Sequence, residues 1–435
     1  MLSVLGNLTF RHLFAAQVVS LLGTGLATVA LALLAWDLAG ESAGAVLGTA
    51  LAIKMVAYVV LAPLAAAIAE RLPRRAFLVA LDLIRAGVIA CMPFVDHIWQ
   101  IYVLIFLLQA ASAGFTPAFQ AVVPHVLKEE RDYINALSLL RLAEDMEQLA
   151  SPMLAGLLLM LVSFSTLFVG TVIGFILSAG LILTVRLPVR ATAQPGHFWS
   201  DVTKGLRIYA RTPRLRGLMV MEAAVASAGA MIYVNTVVLV QARLGLAETA
   251  VALAFAAFGA GSILAAVLLP RLLSQWQDRP VMIGGAGLMV AGVAVVPLID
   301  SLASLMALWA VIGFGFSLTQ TPIGRIISRS ASEADRGVVF AAQFALSHAC
   351  WLVTYPLAGW LGVGAGLGVA AVTLAAIGTA GLVAVIRIWP ATDARALTHD
   401  HPDLPLDHPH LLAHSGAHGH IFMIDELHRH WPKVA

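Results

Sequence analysis

The sequence is poor in charge and nearly devoid of cysteine. Only 11% of its 435 residues are Asp, Glu, Lys or Arg, against about 25% in an average soluble domain, and 60% are hydrophobic. A water-soluble globular fold is thereby excluded. Cys91 and Cys350 both fall in apolar stretches, so there is no disulfide framework, no Cys-x-x-Cys redox site and no cysteine zinc finger. The chain also lacks a G-x-x-x-x-G-K-[ST] phosphate loop and an H-E-x-x-H helix. It is read as a non-enzyme, and any work it does draws on a gradient or a partner. The net charge of +2 comes without clustered aromatic and basic surface, which removes nucleic acid as a partner.

What the chain has is long apolar runs. Stretches of 17–25 residues suit a bilayer core of about 30 Å. Twelve are present, at roughly 13–36, 45–69, 76–95, 98–122, 136–162, 166–187, 216–240, 247–270, 280–299, 302–324, 338–361 and 366–389. Helices follow because lipid offers no partner to an open backbone. The expected fold is an all-α membrane protein of twelve transmembrane helices in two pseudo-symmetric six-helix bundles. The first bundle is residues 1–187, 188–215 is a linker, 216–389 is the second bundle and 390–435 is a His-rich tail. Of the Lys and Arg residues, Arg243 alone falls on one side, Lys54, Arg85 and Arg141 fall within spans, and the rest fall on the side that holds the linker. That side is expected to be cytoplasmic, with both termini inside and the protein multi-pass in the inner (plasma) membrane. The N-terminus runs into an apolar span without a small-residue cleavage site, so it is read as a retained first helix.

The halves show weak self-similarity at a constant offset. Arg11–Leu13 aligns with Leu215–Gly217, Thr116-Pro117 with Gln320-Thr321, and Ser151-Pro152 with Tyr355-Pro356. Such repeats mark transporters that hold substrate between two halves and rock around it. After the second span comes Ala66-Ala67-Ile68-Ala69-Glu70-Arg71-Leu72-Pro73-Arg74-Arg75, followed by Asp82 and Arg85 in the third. This string resembles the loop between helices two and three of the major facilitator superfamily, Gly-x-Leu-Ala-Asp-Arg-x-Gly-Arg-Arg. Ala66 and Pro73 stand where that family has glycine. The resemblance implies the major facilitator fold and a conformational gate at Glu70, Arg71, Arg74, Arg75, Asp82 and Arg85, in which carboxylate and guanidinium latch one conformation and release it in the other. The plainer reading of Arg74 and Arg75 is positive-inside anchoring. The segments Ser138–Gly156, Gly313–Ser330 and Gln343–Leu361 further resemble nickel-resistance permeases that end in a His-rich tail. That likeness implies proton-driven export of a divalent metal.

Charged groups inside lipid cost a few kcal/mol or more and are usually functional or paired. The fifth span carries Arg141, Glu144, Asp145 and Glu147. Glu144, Glu147 and Gln148 share a helical face, while Asp145 reaches back to Arg141. Arg141–Asp145 is therefore read as an ion pair, and Glu144 and Glu147 as the cation and proton exchangers. A structural network of all four is the competing reading. His348 in the eleventh span lies at a depth similar to Glu147, so imidazole and carboxylate can meet on a cation there; a helix-packing histidine is the alternative. Cys350, about 200° around the helix from His348, is read as packing. Second-tier cavity groups are Lys54, Glu222 and Asn235, with Gln109, Thr116, Thr319, Gln320 and Gln343 behind them.

Nine of the 14 histidines lie in the tail: His399, His401, His408, His410, His414, His418, His420, His428 and His430. In extended chain, His-x-His puts two imidazoles on one face, and neutral imidazole binds borderline divalent ions. The expected function is a proton-coupled exporter of divalent transition metal, nickel or cobalt favoured, with the metal as substrate and no permanently bound cofactor. The alternatives are a multidrug or other small-organic-molecule efflux permease and, more remotely, a metal-responsive membrane sensor. The partners are the bilayer, protons and the transported ion or small molecule.

Overall fold

The computed structural model describes residues 2–69, 73–120, 122–127, 154–185, 198–332, 335–391, 396–399 and 418–421, isolated positions between 128 and 153, and positions 423, 424, 428 and 431. The first half contains α1 (Leu8–Ala39), α2 (Ala43–Ala69), α3 (Arg74–Cys91), α4 (Ile98–Gln120) and α5 (Phe164–Leu183). A linker helix, α6 (Phe198–Arg211), leads into α7 (Pro213–Val238), α8 (Glu248–Gln275), α9 (Asp278–Val295), α10 (Leu302–Gln320), α11 (Arg336–Ala365) and α12 (Leu367–Ile388). Ten apolar stretches among the described residues are long enough to cross a membrane, and the first, Leu8–Val60, takes in both α1 and most of α2. Most of the expected fifth span lies outside the described residues.

Lipid explains why helices of this composition are stable. Each backbone group is paired within its own helix, and large apolar side chains such as Leu83, Phe106, Ile173, Val267 and Val372 point outward, where water would penalise them. Between helices the glue is close packing and a few buried hydrogen bonds. Thr171 of α5 donates to the carbonyl of Gly23 in α1 at 2.7 Å, and the Trp309 indole of α10 donates to Thr236 of α7 at 2.9 Å. Gly366, at φ +90°, joins α11 directly to α12 in a conformation that side chains resist.

The linker defines one face of the molecule, called here the linker face. At the opposite end the two halves meet. Gly44 and Gly48 of α2 lie against Gly359 and Tyr355 of α11 so closely that a methyl at Gly48 would fall on the Tyr355 carbonyl. Asn235 of α7 joins this seam, donating to the carbonyl of Ala358 at 3.1 Å.

Three local features differ from the sequence expectation. The tenth helix ends at Gln320 and not at 324, because Pro322 cannot donate a backbone hydrogen bond; the chain resumes as a short helix, Ile323–Ser330. Part of the linker is helical. In the tail, Ala396–His399 pairs antiparallel with His418–Ile421, a small ribbon appended to the helical fold.

Candidate functional site

The most developed polar site lies near the linker face of the second half. Glu222, about 13 Å along α7 from its start, is 3% exposed. Its carboxylate accepts from the Gln343 amide of α11 at 3.1 Å and from the Gln320 amide of α10 at 3.3 and 3.4 Å. The Tyr209 hydroxyl of α6 donates in turn to the Gln343 side-chain oxygen. Burial, and secondarily the Glu222 carboxylate, push the Tyr209 phenol well above its ordinary range, so it stays a donor. Three spans and the linker helix thus converge on one carboxylate, a group able to take up and release a proton. The linker helix is further held by an ion pair from Lys204 to Asp335 at 2.5 Å, beside Gly205, which sits on the Val338 backbone.

Farther from the linker, aromatic rings line the region between the halves. Tyr233 of α7 meets Phe258 at 6.0 Å and Trp351 at 5.9 Å between ring centres, and Trp351 meets Tyr355 at 4.9 Å. His348 belongs to a related cluster. Its Nδ1 lies 2.7 Å from the Phe344 carbonyl of its own helix, and its ring packs on Phe344 and, across the seam, on Tyr58 of α2. The Lys54 ammonium lies 5.9 Å from the Tyr58 ring. With Nδ1 engaged in its own helix, His348 has Nε2 left for a ligand.

The expected gate residues are distributed within the first half. Glu70 and Arg71 lie outside the described residues. Arg75 donates to the carbonyl of Leu183 at the end of α5, where a cation suits the unpaired carbonyls. Arg74 begins α3. Asp82 and Arg85 form a buried ion pair with each other; Ser178 of α5 donates to Asp82 at 2.8 Å, and the guanidinium lies over the rings of Phe115 and Phe175. Sequence reading missed Ser178 and the two rings, which carry no local signal. An unanticipated counterpart in the second half is Asp278 at the start of α9, which accepts from Arg325 and from Arg329 at 2.8 Å.

Arg141, Glu144, Asp145 and Glu147 lie outside the described residues, as do His401, His408, His410, His414 and His430. The ribbon register sets His399 opposite His418 and Leu397 opposite His420. Opposed residues, and residues two apart, share a face, so His399, His418 and His420 occupy one face of the ribbon. His428 is 6% exposed. Among the described residues no group of three His, Cys, Asp or Glu side chains converges as a metal site.

A sequence profile described as Major Facilitator Superfamily matches residues 13–240 and 218–408. Macrolide efflux protein A of Streptococcus pyogenes is 22% identical over 223 residues, 49% of this chain and 54% of that protein; the chain thus spans about half the length of the curated relative it matches. Among solved structures, a bacterial homologue of the human lysosomal transporter Spinster, inward-facing and unoccupied, superposes with a TM-score of 0.68 at 13% identity over 88% of this chain and 97% of that one. The nucleoside transporter NupG gives 0.66 at 13% over 87% and 98%, and a D-xylose-proton symporter 0.63 at 16% over 89% and 99%. These likenesses establish the fold. With the profile match over both halves, they identify a transporter chain that belongs to the Major Facilitator Superfamily.

Proposed function

We propose that this transporter is a proton-coupled exporter of divalent transition metal, nickel or cobalt in the first place, with its linker face and both termini in the cytoplasm. The observation that carries this reading is the ribbon, where antiparallel pairing puts three histidines, His399, His418 and His420, on one face. Imidazoles so placed suit a borderline divalent ion. Glu222 supplies a buried carboxylate near the linker face, and Glu144 and Glu147 are proposed to exchange cation and proton with it, His348 offering Nε2. Glu70, Arg71, Arg74 and Arg75 are proposed to latch the linker face.

One observation favours a second reading. The rings of Tyr233, Phe258, Trp351 and Tyr355 form a surface suited to an amphipathic organic cargo, and a macrolide efflux protein is among the relatives. Flux in inside-out vesicles separates the two. Metal export predicts nickel accumulation driven by an imposed proton gradient, abolished by Glu147→Gln and reduced only in apparent affinity by truncation after Trp389. Movement of a cationic dye with no movement of nickel, cobalt or zinc would establish the organic reading in its place.

A further inference from the structure

The tail leaves the transporter and returns to it at the same place. It departs at Trp389, which is fully buried; its ring rests on Gly217 of α7, where a methyl would collide with it, and its carbonyl accepts from Arg279 at 2.9 Å. The chain comes back at Ile424, 3% exposed and part of the main apolar core. His428 is buried close by in sequence, and Trp431 packs on the same core. The Arg214 guanidinium lies 5.4 Å from the Trp431 ring centre, a cation–π contact. Arg214 and Gly217 are three residues apart, hence on one face of α7 in its first turns. Two tryptophans, one at each end of the segment 390–423, therefore sit side by side on the helix that carries Glu222 two turns farther on.

We propose that the chain end, through Ile424, His428 and Trp431, is an intramolecular clip that closes the histidine-bearing segment into a loop over the base of α7. The occupant of the docking surface is this chain's own terminus, held by apolar burial and one cation–π contact. The closed loop keeps its histidines beside the Glu222 site. Fixing both ends removes conformations that a free tail would lose on gripping an ion, so the clip strengthens metal capture without adding a ligand. That consequence rests on the metal reading; the docking itself does not.

The test uses the full chain in nanodiscs with Cys91 and Cys350 changed to serine and spin labels at Met423→Cys and Arg216→Cys. Without metal, electron–electron distance measurement is expected to give one narrow distribution. Trp431→Ala and, from the other side of the contact, Arg214→Gln should each broaden it while the protein still elutes as a single species. Nickel titration by calorimetry should then show about tenfold weaker binding in Trp431→Ala, in line with a lost preorganisation. A broad distribution in the parent overturns the clip whatever the nickel result. A narrow one with equal nickel affinity in parent and Trp431→Ala upholds docking and overturns its role in capture. A narrow one with no nickel bound by any variant upholds the clip and removes the metal reading instead.

Discussion

A buried carboxylate that accepts from two carboxamides is sensitive to the loss of a single oxygen. In Glu222→Gln one acceptor becomes an NH2 group facing the amides of Gln320 and Gln343, so donors oppose donors. Proton-driven flux in vesicles is expected to fall at least tenfold with normal insertion; flux within twofold of the parent would remove Glu222 from the mechanism. Tyr209 gives a pH prediction. Its folded-state pKa is raised above the ordinary phenol value of 10.0, first by burial and then by Glu222, so the folded protein holds the proton more tightly than the unfolded one. Stability from this source is present below about pH 10 and declines as pH rises beyond it. Tyr209→Phe should cost about 1 kcal/mol at neutral pH and should flatten the decline in Tm between pH 9 and 11. Glu222, Gln320 and Gln343 were legible singly, as polar groups in apolar runs. Their convergence was not, because it depends on how three spans and the linker pack, and Tyr209 lies on a helix that apolar length does not reveal.

Between elements, the described ion pairs bind neighbours within a half. Asp82 holds α3 to α5 through Ser178 and neutralises Arg85 between two rings. Asp82→Ala strands that guanidinium, at a cost of about 3–5 kcal/mol, and is expected to lower the melting temperature sharply in fluorescence-detected size-exclusion; Asp82→Ala with Arg85→Met should recover much of the loss. Asp278 plays the same part for α9 and the helix Ile323–Ser330, though Arg325 is half exposed, so Asp278→Asn should cost less. The spans were readable because lipid demands length and apolarity, and both are local properties. The linker helix α6 was not, since an amphipathic pattern on a partly charged segment has no length requirement, and it is fixed by distant residues, Asp335 and Gln343. The ribbon and the docked chain end escaped for the same reason: pairing between residues far apart leaves no periodicity behind.

At the scale of the whole molecule, the two halves touch where α2 meets α11. A larger residue at Gly48 cannot coexist with the Tyr355 carbonyl. Gly48→Leu is therefore expected to part the halves at that end, and spin labels at Asp37→Cys and Asp300→Cys, on loops of opposite halves, should report a longer distance than in the parent. An unchanged distance would mean that the seam tolerates bulk and does not govern the conformation. The seam is made mainly of main chain on main chain, and the side-chain oxygen of Asn235 is buried there without a hydrogen-bond partner. Parting such a surface disengages few interlocked side chains and lets a dry oxygen reach water. The closed arrangement is thus only shallowly held, and the cargo and the proton, more than the protein's own adhesion, decide which way the carrier faces.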